Sequence, residues 1–274
     1  MEKRLLSIQD ISCVGQCSLT VALPLISACG IETAILPSAV LSTHTAGFKN
    51  YTFCDLTPEM AKIEKSWQEN DIRFDAFYTG YVCPDQIDPI LSIMKNCAAP
   101  GAVRIVDPVM ADNGKMYPGF GPDFPAQMAR LCNGADYLLP NLTEAAFLLG
   151  REPVLEGYDH AFVEDMLRSL AAIGAKNVVL TGISFDPAEL GVATFDGEKI
   201  EYDFNPRLNV MSHGTGDVYA SSFAGAILRG KSLIQSAALA ADVVCASIRE
   251  TEAGHWYGVS FERAIPELIR LLND

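Results

Sequence analysis

Two glycines bracketing a threonine and followed at once by an acid form the run with the most evident chemistry, Ser212-His213-Gly214-Thr215-Gly216-Asp217-Val218-Tyr219. A turn of this composition at the start of a helix lets successive backbone N–H groups converge on an anion, with the helix dipole reinforcing them. Asp217 then falls in the first helical turn. A carboxylate beside bound phosphate can take the proton of an attacking hydroxyl. The competing reading is structural: the glycines only turn the chain and the acid only complements the dipole. Other polar groups follow apolar runs. Val103–Val106 leads into Asp107-Pro108-Val109-Met110-Ala111-Asp112, whose two carboxylates could serve a metal ion or its waters, or simply solvate a loop. Tyr137–Leu139 leads into Pro140-Asn141-Leu142-Thr143-Glu144, where Asn141 and Glu144 also have the spacing of a capping box. Val178–Leu180 ends at Thr181-Gly182, where a plain turn is the alternative.

Two familiar phosphate motifs fail. Gly225 to Ser232 satisfies GxxxxGK[ST], but Gly225 lies inside an apolar helical pattern with no strand before it, and Gly230 has the position of a C-cap. After the first predicted strand comes Cys13-Val14-Gly15-Gln16-Cys17-Ser18, not GxGxxG.

Positioning these groups requires a scaffold of short apolar strands alternating with helices. Strands are predicted at Leu5–Gln9, Thr33–Leu36, Ala76–Thr79, Val103–Val106, Tyr137–Leu139 and Asn177–Thr181. Helices are predicted at Ser18–Cys29, Pro58–Asn70 with Thr57 as N-cap, Pro84–Lys95, Asp123–Cys132, Thr143–Leu149 and Ala161–Ile173. Gly191–Phe195 and Lys199–Phe204 flank Asp196-Gly197, a hairpin signal. Gly216–Leu228, Leu233–Glu250 and Phe261–Leu272 complete the helices. Repeated strand–helix–strand units predict an α/β fold, a mostly parallel sheet with helices on both faces. Ligands of such sheets bind beyond the carboxyl ends of the strands, where the polar groups above fall. With no repeat or linker, residues 1–274 read as one domain.

Composition narrows the function classes. The chain has 274 residues, 49% hydrophobic and 20% charged, enough for a sizeable core. The net charge of −14 and the lack of basic runs speak against a nucleic-acid partner. The longest apolar stretch, Leu19 to Ile31, contains Pro24 and falls short of the roughly 18 residues of a bilayer span. The start of the chain has no signal-peptide pattern, so a cytoplasmic location without membrane contact is expected. Eight cysteines occur without a CxxC pair, and most sit in apolar stretches, as reduced buried thiols do.

In this order, and over nearly the whole chain, the motifs resemble the ribokinase superfamily and, within it, the pyridoxal/pyridoxamine kinases. The resemblance is carried by Leu6-Ser7-Ile8-Gln9-Asp10, Ser38 to Thr45, Thr79-Gly80-Tyr81, Asp107 to Asp112, Pro140-Asn141-Leu142-Thr143-Glu144 and Gly214-Thr215-Gly216-Asp217. It implies a ribokinase-like fold and ATP-dependent phosphorylation of the 5′-hydroxymethyl group of a B6 vitamer. It implies that Asp217 is the general base and that the amides of Gly214, Thr215 and Gly216 form an anion hole. Asp107, Asn141 and Glu144 would organise Mg²⁺ and phosphates, with Asp107 and Glu144 reaching the metal largely through water. Asp112, Tyr117, Thr181, Gly182 and Thr215 would lie along the nucleotide. Asp10, Leu41, Thr45 and Tyr81 would line the vitamin pocket, with His44 close by. It also implies a homodimer acting on small molecules, and leaves a monovalent-cation requirement open.

Departures bear on the substrate. Asp10 stands where many pyridoxal kinases have serine, Leu41 replaces an aromatic, Ala111 a glycine and Leu139 a frequent threonine. The similar hydroxymethylpyrimidine kinases often carry cysteine in place of Asp217. Phosphorylation of hydroxymethylpyrimidine, or ligand binding without turnover on the same fold, are the alternatives. A sugar kinase fits less well, because no early lid of extra strands is visible.

Overall fold

The computed structural model describes residues 3–208 and 213–274; Met1, Glu2 and Ser212, the first residue of the glycine run, lie outside them. Six strands run parallel: β1 (Arg4–Ser12), β2 (Glu32–Leu41), β4 (Phe74–Thr79), β5 (Ala98–Val106), β8 (Tyr137–Leu138) and β9 (Asn177–Ile183). Antiparallel strands close both margins. β3 (Phe53–Asp55) pairs with β2, and the hairpin of β10 (Glu189–Phe195) and β11 (Ile200–Pro206) pairs with β9. The sheet order is β11-β10-β9-β8-β5-β4-β1-β2-β3.

Both faces are covered, which explains why the strands read as continuous apolar runs. Leu6, Ile8, Phe77, Val106, Val178 and Leu180 point to one side. There they meet α2 (Thr57–Glu69), α3 (Ile87–Asn96), α4 (Phe124–Cys132), α5 (Leu142–Leu148) and α6 (His160–Ala172). Their neighbours Leu5, Ala76, Tyr78, Ile105 and Val179 point to the other. That side is packed by α1 (Leu19–Ala28), α7 (Thr215–Leu228), α8 (Leu233–Glu250) and α9 (Phe261–Asn273).

Several details differ from the sequence reading, among them that β5 begins at Ala98 and that a 3-10 turn over Pro84–Gln86 precedes α3. β2 continues through Pro37 to Leu41, because its pairing with β1 resumes after a register shift between Gln9 and Ile11. β3 was not expected, since its three exposed residues carry no apolar pattern. A small hairpin, β6 (Ala111–Asp112) and β7 (Lys115–Met116), turns at Asn113-Gly114, both with positive φ, 50° and 75°. That dipeptide is a turn signal, here flanked by strands too short to show a pattern. α2 begins at Thr57 itself, and the Asp55 carboxylate accepts from both the Thr57 amide (2.9 Å) and hydroxyl (2.6 Å). Of the cysteines, Cys29, Cys97, Cys132 and Cys245 are buried, whereas Cys13 and Cys54 are exposed. No described helix is long and apolar enough to cross a membrane.

The GxxxxGK[ST] match is a helix and its cap, as its setting suggested. Gly225 lies within α7, and a Cβ there would stand 2.2 Å from Cys29 Sγ on the neighbouring α1 end. Gly230 has φ 91°; its N–H donates to Ile227 and that of Lys231 to Ala226, a Schellman closure. Gly225→Ala should therefore cost about 1–3 kcal/mol of stability through overpacking, and Cys29→Ala should restore much of it. Thermal unfolding of the single and double variants measures this, with nucleotide affinity unchanged in both. Unaltered stability with lost nucleotide binding would reinstate the segment as a phosphate loop.

Candidate active site

The fold delivers its polar groups to the carboxyl edge of the sheet. Asp10 lies near the end of β1, Asp107 directly after β5, Asn141 after β8 and Thr181 in β9. Opposite them stands the N-terminus of α7. Gly214, its N-cap, has φ 79°, and a Cβ there would meet the Gln16 carbonyl oxygen at 1.9 Å. Glycine is thus required twice, for conformation and for close approach. Gly216 differs: it has open space around its Cβ position, so internal packing does not ask for glycine there. The first turn has no side-chain cap, which leaves its orphan amides directed outward.

Beside these amides opens a cavity of about 400 Å³. Asp107, Asp112, Tyr117, Asn141, Glu144, Thr181, Gly182 and Thr215, all expected along the nucleotide, line it, together with Gly214, Gly216 and Asp217. Its other half is apolar and was missed in the sequence. Leu190 and Val192 of β10 face Ala241, Val244, Cys245 and Ile248 of α8. Those four α8 positions fall at helical spacing and read as core; only the gap between helix and hairpin makes them a wall.

The loop from Asp107 to Tyr117 is pinned by the start of α5. Glu144 Oε2 accepts from the Asn141 amide (3.0 Å), and Asn141 Oδ1 accepts from the Glu144 amide (2.9 Å), so the capping box is real. Both residues also reach outward. Glu144 Oε1 accepts from the Met110 amide (3.1 Å), Asn141 Nδ2 donates to the Ala111 carbonyl (2.9 Å), and Thr143 Oγ1 accepts from the Gly114 amide (3.0 Å). The structural and functional readings of this pair therefore coexist.

Burial crowds the acids. Asp10, Asp107 and Glu144 are 4%, 7% and 3% exposed. Burial lifts Asp107 well above the usual carboxylate range, and the charges of Glu144 and Asp217 lift it further. Burial pushes Glu144 up to about 8, against the pull of the Asn141 and Met110 amides. It pushes Asp217 up to about 7; the Ser18 amide opposes the shift and the Asp10 charge adds to it. Asp10 is raised by burial and held back by Ser18 and Ser12, whose hydroxyl donates to it at 3.0 Å. The Cys17 thiol is pushed up to about 12, chiefly by burial and further by the charges of Asp217 and Asp10, and so stays protonated. Among the described residues no three His, Cys, Asp or Glu side chains converge as a direct ion site. Asp107 and Glu144 fit a divalent cation held through intervening ligands, because its charge would relieve their repulsion.

The groups expected around the vitamin do not line that cavity, although the charge of Asp10 is felt at Asp217. Asp10 is within the fields of His44, Tyr81 and Cys83. Leu41 is buried at the end of β2, and Tyr81 packs on Phe120 with ring centroids 5.2 Å apart. Thr45 is exposed. His44 Nδ1 accepts from the Ala46 amide (3.2 Å), so Nε2–H donates to the Tyr257 carbonyl (2.9 Å). Burial lowers its pKa, and the neutral ring tethers the segment after β2 to the segment before α9. Ser18 is a residue that sequence reasoning passed over. As N-cap of α1 it holds φ 53°, ψ −133°, a conformation suited to glycine, with its amide turned toward Asp217 and its hydroxyl toward Asp10.

Comparison with known proteins agrees with this geometry. The profile of the phosphomethylpyrimidine kinase family matches residues 23–260. The pyridoxal kinase of Dictyostelium discoideum is 28% identical over 248 residues, 84% of this chain and 80% of that protein. The crystal structure, with pyridoxal, of a protein from Bacteroides thetaiotaomicron designated a phosphomethylpyrimidine kinase is 32% identical. It covers 98% of this chain and 96% of its own at a TM-score of 0.92. The pyridoxal kinase of Lactobacillus plantarum is 30% identical, covering 98% and 97%, at a TM-score of 0.90. This chain, with its mostly parallel ribokinase-like sheet, belongs to the phosphomethylpyrimidine kinase family, among relatives that include pyridoxal kinases.

Proposed function

We propose that this chain transfers the γ-phosphoryl group of ATP to the 5′-hydroxymethyl group of pyridoxal, pyridoxamine or pyridoxine. One observation carries the reading: Asp217 sits in the uncapped first turn of α7, lines the cavity beside the Gly214–Gly216 amides, and lies within the field of the buried Asp10 carboxyl. Similarity to pyridoxal kinases supports the vitamer. The phosphomethylpyrimidine name of the family keeps hydroxymethylpyrimidine as the second reading. A silent binding protein is disfavoured, since binding alone has no use for a carboxylate lifted to about 7 at this point.

In this mechanism the apolar wall of α8 and β10 receives the base of ATP, and the α7 amides receive the transferring phosphoryl group. Asp217 takes the hydroxyl proton as that oxygen bonds to the γ-phosphorus. The bond from phosphorus to the β–γ bridging oxygen breaks, and ADP leaves. The transition state is loose, so charge stabilisation and alignment do most of the work. Mg²⁺, held near Asp107 and Glu144 through water, would neutralise charge on the triphosphate. Asp10 would accept a hydrogen bond from the protonated ring nitrogen. One domain, a homodimer and a cytoplasmic setting complete the reading.

Two variants test it. Asp217→Asn keeps the size of the side chain but cannot take a proton, so kcat should fall roughly 10²–10⁴-fold. ATP affinity and thermal stability should change little. ADP release with Mg-ATP and a panel of B6 vitamers, hydroxymethylpyrimidine and ribose measures this; turnover within about threefold of wild type would refute the base. Asp10→Ala removes a charge-assisted contact worth roughly 1.5–3 kcal/mol. It should raise KM for the vitamer about 10–100-fold and leave KM for ATP nearly constant. Equal weakening toward both substrates would assign Asp10 to the scaffold.

A further inference from the structure

The cavity beside α7 is poor in positive charge. Four of the side chains lining it are acids, Asp107, Asp112, Glu144 and Asp217, and among the described residues along its walls none is lysine or arginine. The chain from Leu208 to Gly216 contains no such residue either. The cation just before, Arg207, is committed elsewhere: its guanidinium donates to the Pro187 carbonyl (3.1 Å) and the Glu189 carbonyl (3.3 Å). A divalent cation near Asp107 and Glu144 would offset those carboxylates and part of a triphosphate. At the α7 end the amides would act alone, save for His213. Among the described residues lining the cavity, His213 is the one whose side chain can become a cation.

Its place is well defined. His213 lines the cavity and directly precedes Gly214, so one peptide link joins it to the N-cap of α7. Gly214 is itself pinned, because a Cβ there would meet the Gln16 carbonyl oxygen at 1.9 Å. The His213 ring packs on that of His44, with centroids 5.4 Å apart and planes at 50°. His44 is held in turn: Phe48 meets it edge-on at 4.9 Å, and a Cβ on Gly15 would stand 2.2 Å from its Cδ2. Both ring nitrogens of His44 are engaged by the backbone, Nδ1 by the Ala46 amide and Nε2 by the Tyr257 carbonyl. His44 is thus fixed as a neutral ring and adds no repulsion to a charged neighbour. His213 is exposed, so a ligand can reach its ring. It therefore borders the nucleotide cavity on one hand and the segment after β2, expected at the vitamin, on the other. A γ-phosphoryl group must meet the substrate hydroxyl at such a junction.

We propose that His213 contacts the transferring phosphoryl group, its imidazolium donating an N–H to a γ-phosphate oxygen beside the α7 amides. The proposal rests on the kinase reading given above. Phosphate next to the ring favours its charged form, and a charge-assisted hydrogen bond holds the group in line for attack. No bond of the imidazole forms or breaks in the transfer. The hydroxyl proton still goes to Asp217, and ADP still leaves with the bridging oxygen.

His213→Phe and His213→Lys separate this contact from packing. Phenylalanine keeps a ring against His44 without an N–H; lysine gives up the ring and keeps the charge. His213→Phe should lower kcat about tenfold and weaken binding of Mg-AMP-PCP, which cannot transfer, by a similar factor. Binding of adenosine, which has no phosphate, and KM for the vitamer should stay within about twofold of wild type. His213→Lys should recover both kcat and Mg-AMP-PCP affinity to within about threefold of wild type. If His213→Phe does not fold, His213→Ala at this exposed position should show the same losses. A His213→Lys enzyme as impaired as His213→Phe would overturn the charge contact and leave His213 a packing residue. Unchanged Mg-AMP-PCP affinity in His213→Phe would overturn it whatever the turnover. A wild-type chain that transfers phosphate to no acceptor of the panel would refute the kinase reading, and the affinities for Mg-AMP-PCP and adenosine would still decide the phosphate contact.

Discussion

Buried like charge is the constraint on which this structure depends. Asp10, Asp107, Glu144 and Asp217 are brought to one edge of a sheet, largely out of water, in a chain that already carries a net charge of −14. Each would be more stable apart and solvated. The fold holds them together because parallel strands end at a common edge, and because the loops beyond that edge are fixed by backbone hydrogen bonds. The raised proton affinities follow from that arrangement. They favour the folded state below the ordinary carboxylate range, and the contribution fades as pH rises through the lifted values. Such an edge is suited to a divalent cation, whose charge would offset both the carboxylates and any phosphate brought beside them.

The capping box of α5 shows how local structure serves the site. Asn141 and Glu144 first satisfy each other and the helix end. Their remaining polar atoms then hold Met110 and Ala111, which sets the loop that carries Asp107 and Asp112. The same economy appears at Gly214, where one residue provides the turn, the N-cap and the room for the Gln16 carbonyl. His44, with both ring nitrogens engaged by backbone groups, ties two segments beside Asp10.

Much of this was legible in the residues. Apolar runs ending in polar groups marked the parallel strands, and Gly214-Thr215-Gly216-Asp217 marked the anion-facing helix start. The residues expected along the nucleotide line one cavity. What escaped has physical reasons. β3 and the Ala111–Met116 hairpin are too short for a period to appear. The α8 wall has the spacing of a buried helix face, and sequence does not reveal an unfilled gap. Ser18 shows no signal because its backbone angles, not its type, are unusual.

The central claim is that burial makes Asp217 a base with a proton affinity near neutrality. The pH dependence of kcat/KM for a B6 vitamer, at saturating Mg-ATP, addresses it most directly. The account predicts a rising limb with its midpoint near 7, since Asp217 must be ionised to accept the hydroxyl proton. A profile that stays level from about pH 5.5 to 8.5, with full activity well below the midpoint, would contradict it.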